Sequence, residues 1–346
     1  MANYFYGTAN PDSIYSYLSA GVTTYPGGVT GTSDAQDVVY AYGGDDYVYG
    51  YGGDDYIYGY SGDDSLWGGY GNDYISGDSG DDYLDGWYGD DTLYGGSGYD
   101  SMAGGPGDDT YYVDTVNDSI SEYAGEGYDT VYSYGGNYTL SANLEALILY
   151  NTTNQNGTGN NLANYIEGNS GNNTLNGLGG NDEIRGKGGN DIVIGGAGND
   201  VLFGGPGRDT LRGQAGNDWL TGAEDPDILI GGLGNDTFDF DSASWSTPAA
   251  RDIIRAGDGA TAFQGVGVAG GDRIDLSGID ANAASGANEA FIFGGSGLRH
   301  LSLVDSGNNT IVRGNTDTDA AFEFQLVIED GAGIHASNYK AIDFVL

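Results

Sequence analysis

The sequence predicts an all-β chain: two right-handed parallel β-roll (β-helix) blocks followed by a C-terminal antiparallel β cap. Three observations predict it. Aspartate returns every nine residues along two long stretches, each time in a block of the form GGxGxDxUx with U apolar. Glycine supplies 66 of the 346 residues, yet there is no Gly-X-Y period and only 6 prolines, which excludes collagen. Each aspartate is followed by a short β-branched, aromatic or aliphatic run, the mark of a strand rather than a helix.

The elements follow in order. Residues 1–40 carry two weak echoes of the repeat, GTANPDSIY and TSDAQDVVY, and are expected to form an N-terminal cap, since terminal repeats of a solenoid meet water on one side. Residues 41–112 hold eight blocks in unbroken phase, the first roll. Residues 113–158 lose the phase and read as a connecting β segment of short strands and turns. Residues 159–239 form the second roll, which begins softly with Asn164 and Asn173 in the aspartate position. Residues 240–346 contain runs such as RDIIRAGD, GGDRIDLSGID, NTIVRGN, FEFQLVIEDG and AIDFVL, expected as a compact cap. Only ANAASGANEA suggests a turn or two of helix.

Within a block the eighth position is the inward one: Val48, Ile57, Leu66, Ile75, Leu84, Leu93, Met102 and Tyr111 in the first run, then Ile184, Val193, Leu202, Leu211, Leu220, Leu229 and Phe238. Two nonapeptides make one coil, with a three-residue strand on each side and a turn at each end, so repeat n lies beneath repeat n+2, ~4.8 Å away. Glycines at positions 1, 2 and 4 are expected to allow positive φ and to turn carbonyl oxygens into the gap between coils. The aspartate at position 6 adds a carboxylate to that gap.

That donor set suits a hard cation. Six or more carbonyl and carboxylate oxygens from two stacked turns fit Ca²⁺, whereas Mg²⁺ keeps its water in a strict octahedron. Zinc is disfavoured by the absence of cysteine and the presence of only His300 and His335. The metal-ligand candidates are Asp46, Asp55, Asp64, Asp73, Asp82, Asp91, Asp100 and Asp109, and then Asp182, Asp191, Asp200, Asp209, Asp218, Asp227 and Asp236. Pairing n with n+2 gives about 11 ions. Their charge offsets around half of the formal −41 that 51 acidic and 10 basic residues create. A chain so acidic repels nucleic acid and anionic membranes. No stretch is long and apolar enough to span a bilayer as a transmembrane segment, and no Sec-type leader is visible.

These repeats resemble the RTX family, the haemolysin-type calcium-binding repeat proteins of Gram-negative bacteria. The tail is similar to the C-terminal region of serralysin-type metalloproteases. That resemblance implies an uncleaved type I secretion signal, matched here by Asp343, Phe344, Val345 and Leu346, and a type I exporter as partner. No HExxH zinc helix, no lipase GxSxG elbow and no pore-forming apolar helix accompanies the repeats. The expectation is a secreted, extracellular, non-enzymatic protein that folds on binding calcium, acts as a cell-surface, matrix or adhesion component, and loses its calcium-induced fold in acid. The alternatives are the folding and secretion module of a larger extracellular enzyme, a hydrolase or polysaccharide epimerase, and a soluble host-interaction effector.

Of 29 tyrosines, all but Tyr165 and Tyr339 precede residue 151. Many flank the inward position, and Tyr47, Tyr49, Tyr56, Tyr58 and Trp67 are candidates for an outward aromatic strip. Such a strip shields the sheet as good strand formers do, or it contacts a glycan, a cell surface or a second copy of the chain.

Overall fold

The computed structural model describes residues 3–6, 13–15, 36–114, 117–257, 271–279, 291–293, 299–316, 322–330 and 334–346. Its contacts fall into two compact units, Met1–Asn151 and Thr152–Leu346. Both are all-β. Among the described residues the only helical turns are the 3-10 segments Ala336–Asn338 and Ala341–Asp343, and no helix is long and apolar enough to cross a membrane.

In the first unit, one sheet runs Asn3–Tyr6, Asp37–Tyr40, Tyr56–Ser61, Tyr74–Ser79, Thr92–Ser97, Thr110–Val113, Thr130–Ser133 and Ala146–Leu149. The opposite sheet holds Ser13–Tyr15, Tyr47–Gly52, Ser65–Tyr70, Tyr83–Tyr88, Ser101–Ala103 and Ser119–Ile120. Every pairing is parallel, and within the repeats the register is 18 residues: Val48 opposes Leu66, and Ile57 opposes Ile75. Chain-adjacent strands therefore lie in opposite sheets, and repeat n stacks on repeat n+2. Most strands in the first run are six residues rather than three, because they continue from position 7 through position 3 of the next block. Residues 113–151 are further coils of this unit, not merely a connection, since Thr130–Ser133 extends the sheet from Thr110–Val113.

The second unit repeats the plan. Glu183–Arg185, Val201–Phe203, Trp219–Thr221 and Thr237–Asp239 pair in parallel on one side; Thr174–Gly179, Ile192–Ala197, Thr210–Ala215 and Ile228–Leu233 do so on the other. All fifteen eighth-position side chains are fully buried, Val48 through Tyr111 and Ile184 through Phe238. At ~1.5–3 kcal/mol for each fully buried aliphatic or aromatic side chain, this one-residue-wide core is a main source of packing energy.

The tail departs from the expected cap. Only His300–Ser306, Asn309–Gly314 and Phe324–Glu329 run antiparallel. Ile253–Arg255, Arg273–Asp275 and Phe344–Val345 instead extend the parallel sheets, with Ile274 opposite Phe344. The reason is sequence-local: Asp252-Ile-Ile254 and Asp272-Arg-Ile274 keep the aspartate and the inward residue after the nine-residue phase has gone. The ANAASGANEA segment and most of the 1–40 cap lie outside the described residues.

Candidate metal centres

Two ladders of side chains run along the turns in opposite senses. In the first, the position 6 aspartate of each block reaches back one coil. Its Oδ1 accepts the backbone N–H of the residue 18 positions earlier: Asp46 to Asp64, Asp55 to Asp73 and Asp73 to Asp91 are all 2.7 Å. The second unit repeats this from Asn164 to Asp182 and from Asp191 to Asp209, both 2.7 Å. In the second ladder, the position 5 side chain accepts an N–H from the following coil, as Asp54 does from Asn72 at 2.9 Å and Asn190 from Arg208 at 2.8 Å. The nonapeptide pattern does not mark this position, because its residue type varies, mostly between Asp and Asn.

The first ladder leaves one oxygen over. Oδ2 of Asp55, Asp64, Asp73, Asp82, Asp91, Asp100 and Asp109 is buried and accepts no hydrogen bond. The same holds for Asp182, Asp191, Asp200, Asp209, Asp218, Asp227 and Asp236. Asp46 begins the series, buried like the rest.

At several rungs the leftover oxygen stands beside a further acceptor. A Cβ placed on Gly186 would lie 2.5 Å from Asp191 Oδ2 and 2.6 Å from the Gly204 carbonyl oxygen of the next coil. One on Gly50 would lie 2.6 Å from Asp55 Oδ2 and 2.5 Å from the Gly68 carbonyl. Carboxylate and carbonyl oxygens thus converge on a gap that only glycine keeps open. Two acceptors without a donor repel; they require a proton or a cation between them.

This corrects the expected role of the glycines. Position 1 is glycine for space, at ordinary φ. Positive φ falls at positions 2 and 4: Tyr51 at 72°, Lys187 at 79° and Gly62 at 127°. Position 2 accepts side chains in that conformation. Position 4 is usually glycine, since a Cβ on Gly62 would strike the Gly44 carbonyl of the coil before it, and Asp225 stands there at 74°.

Burial drives the carboxyls upward, opposed by the ladder N–H and reinforced by neighbouring carboxylates. Asp55 and Asp109 rise to about 8, Asp91 and Asp227 to about 9. Asp73, Asp82, Asp182, Asp191 and Asp218 rise to about 7. Asp64, Asp100, Asp209 and Asp236 rise to about 6, and Asp200 is raised as well. Near neutral pH many of these groups therefore hold a proton when no cation replaces it.

The degenerate blocks supply an internal contrast. Asn173 Oδ1 accepts from Asn169 N–H at 2.9 Å, and its Nδ2 donates to the Gln155 carbonyl at 2.7 Å. The amide brings its own donor, so this turn closes without a cation. Among the described residues no group of three or more His, Cys, Asp or Glu side chains is placed to hold a metal. The donor set is instead one carboxylate oxygen per turn with backbone carbonyls, a hard-oxygen shell that fits Ca²⁺.

A model of the RTX calcium-binding nonapeptide repeat matches residues 32–66, 58–87, 88–120, 158–193, 177–211, 185–220 and 212–242, half of the chain. The chain belongs to the RTX calcium-binding repeat family. Its repeats are therefore calcium-binding repeats wound into a parallel β-roll. Among solved structures, the chain is similar to the solution structure of the AlgE6R3 subunit from the Azotobacter vinelandii mannuronan C5-epimerase. The identity is 27% over 45% of this chain and 77% of that one, with a TM-score of 0.31. No curated protein matches the chain.

Four RTX-like rungs were missed in the sequence. Asp118 accepts from Asp100 N–H at 3.3 Å, Asp129 from Asp109 at 2.9 Å, Asp252 from Asp227 at 2.8 Å and Asp272 from Asp236 at 2.9 Å. Asp118 keeps the spacing but has no glycines in its block, Asp129 keeps Gly125 and Gly127 but lies two residues out of phase, and Asp252 and Asp272 follow longer insertions. The surviving signal is an aspartate two residues before a buried apolar residue: Ile120, Val131, Ile254 and Ile274. The candidate export residues are folded in: Asp343 and Phe344 are buried, and Asp343 Oδ2 accepts from Lys340 N–H at 2.6 Å.

The aromatic candidates stand on the outer faces. Tyr47 and Tyr56 are exposed, and Tyr49, Tyr58 and Trp67 are half-buried by stacking on their neighbours. Tyr49 lies on Trp67 with centroids 4.4 Å apart and planes 4° from parallel. On the opposite sheet Tyr40 stacks on Tyr58, Tyr94 on Tyr112 and Tyr112 on Tyr132, with centroids 5.4, 3.9 and 5.0 Å apart.

Proposed function

We propose that the chain is a secreted, non-enzymatic calcium-binding protein that folds outside the cell and serves at a cell surface or in a matrix. The carrying observation is the row of buried Oδ2 atoms facing carbonyl oxygens. At submicromolar calcium near neutral pH the stacked coils must keep many of those carboxyls protonated, whereas the open chain ionises them freely, so the open chain is favoured. At the millimolar calcium of extracellular fluid, about 11 ions replace the protons and the roll closes, so binding free energy becomes folding free energy.

Export in the unfolded state by a type I exporter follows from the same logic. Asp343 and Phe344 are readable by a transporter only while the last rung is open, since the folded chain buries both. The test is export of the chain from a bacterial strain carrying a type I system, with and without residues 343–346. Export that is unchanged by their removal contradicts the signal. The adhesive role rests on the aromatic faces. Adhesion of calcium-loaded protein to cells, compared with a variant in which Tyr47, Tyr49, Tyr58 and Trp67 are serine, tests it.

A further inference from the structure

Among the position 2 residues of the first unit, Gly69 leaves a gap between two aromatic side chains, and the gap has a shape. On the sheet holding Tyr47–Gly52, Ser65–Tyr70 and Tyr83–Tyr88, position 2 is Tyr51, Gly69 and Trp87 in successive rungs. Gly69 removes a side chain between two aromatic ones. A groove of about 420 Å³ opens there, floored by Gly68 and Gly69 and walled by Tyr49, Tyr51, Trp67, Tyr70 and Trp87, with Asp85 at one corner. We propose that this groove is a carbohydrate-binding site for an uncharged glycan built of hexopyranose units.

Three features select that ligand. Tyr51 and Trp87 stand two rungs apart, roughly 9.6 Å at the strand spacing. Carbon contacts of ~3.5–4 Å on each side leave room for a puckered saturated ring, thicker than a planar base. The second feature is charge. Residues 1–151 hold 25 of the 51 acidic side chains and none of the 10 basic ones. The groove therefore has no group to balance a uronate, sulfate or phosphate, and the field around it rejects them. Third, Asp85 is the groove's hydrogen-bond acceptor. It is half-buried against the rings, its carboxyl is raised by that burial, and it takes a 3.1 Å hydrogen bond from Tyr83 Oη, which leaves lone pairs for ligand hydroxyls. The walls are held by each other rather than by mobile loops. Tyr70 meets Trp87 edge-on at 4.9 Å and stacks on Tyr88 at 5.2 Å, while Tyr49 backs Trp67.

This site deepens the adhesive reading and rests on it, since the walls exist only when the coils are stacked. The test uses the full calcium-loaded chain in isothermal titration calorimetry against cellohexaose, mannohexaose, maltohexaose and a hexamannuronate. Circular dichroism and calcium stoichiometry run in parallel. The expected result is binding of at least one neutral hexaose and none of the hexamannuronate. Binding should weaken at least tenfold in Trp87→Ala and in Tyr51→Ala, each of which removes one wall of the slot. Calcium uptake should be unchanged in both. A folded, calcium-loaded chain that ignores all three neutral hexaoses overturns the groove alone. So does one that prefers the hexamannuronate, binds equally well with a wall removed, or buries its aromatic face by self-association in sedimentation. A chain that fails to fold in calcium overturns both readings.

Discussion

The backbone N–H of Asp73 donates to Oδ1 of Asp91, 2.7 Å away on the next coil, while Oδ2 of the same carboxylate is buried without a hydrogen bond. One oxygen fixes the stacking of two turns; the other makes that stacking conditional on a proton or a cation. Repeated along both units, this relationship turns a repeat fold into a calcium-dependent one.

The pH dependence has a definite sign. The unfolded carboxyls titrate near 3.8, the folded cation-free ones at about 6 to about 9. A raised carboxyl pKa stabilises the folded state fully below the unfolded value, and the contribution is lost as pH climbs through the folded one. Calcium-free protein should therefore gain β structure on acidification from pH 8 to pH 4.5, followed by circular dichroism. On this basis acid should displace calcium without erasing the roll, whereas the sequence reading expects acid to reverse the calcium-induced fold; the same spectra decide between them.

Calcium and protons then compete for the same oxygens. Titration near pH 6.5 should release protons, seen as an apparent binding enthalpy that varies with the ionisation enthalpy of the buffer. The calcium midpoint should move to higher concentration as pH falls. A buffer-independent enthalpy would mean the carboxylates are already ionised in the free chain.

Position 1 and position 2 should respond oppositely to substitution. Gly186→Ala places a methyl group against Asp191 Oδ2 and the Gly204 carbonyl, and should cost about 1–3 kcal/mol and raise the calcium midpoint. Lys187→Gln, one residue later at positive φ, should stay within about 0.5 kcal/mol. Calcium-loaded urea denaturation of both variants measures the difference.

An aspartate replaced by its amide should trade calcium dependence for intrinsic stability. Asp200→Asn supplies the donor that Asn173 already uses toward the Gln155 carbonyl. The variant should bind less calcium and be more stable in EGTA at pH 7.5, by about 1 kcal/mol. Lower stability in EGTA would show that Oδ2 is satisfied in the free chain.

The core offers a calibration independent of metal. Leu66→Ala in calcium should lose about 3 kcal/mol, as a fully buried leucine does where the neighbours cannot collapse.

The parts of this architecture that obey a fixed period are legible in the sequence. Asp46 to Asp109 and Val48 to Tyr111 fall where the nine-residue phase puts them, because each residue repeats one local geometry. Asp118 escapes that reading because its block has lost its glycines, and Asp129, Asp252 and Asp272 because insertions change the spacing while leaving the rung intact. The C-terminal strands mislead for a related reason. Phe344 reads as part of a separate cap, yet it pairs with Ile274 because the end of a parallel sheet needs a covering strand. Position 5 was hidden by chemistry rather than spacing: Asp54 and Asn190 differ in charge, but both accept one backbone N–H.

The most direct measurement is far-ultraviolet circular dichroism of the metal-free chain at pH 7.5, titrated with Ca²⁺ and separately with Mg²⁺. Cooperative conversion from coil to β structure with calcium alone is the predicted result. A full β spectrum in EGTA, unchanged when calcium is added, would contradict it.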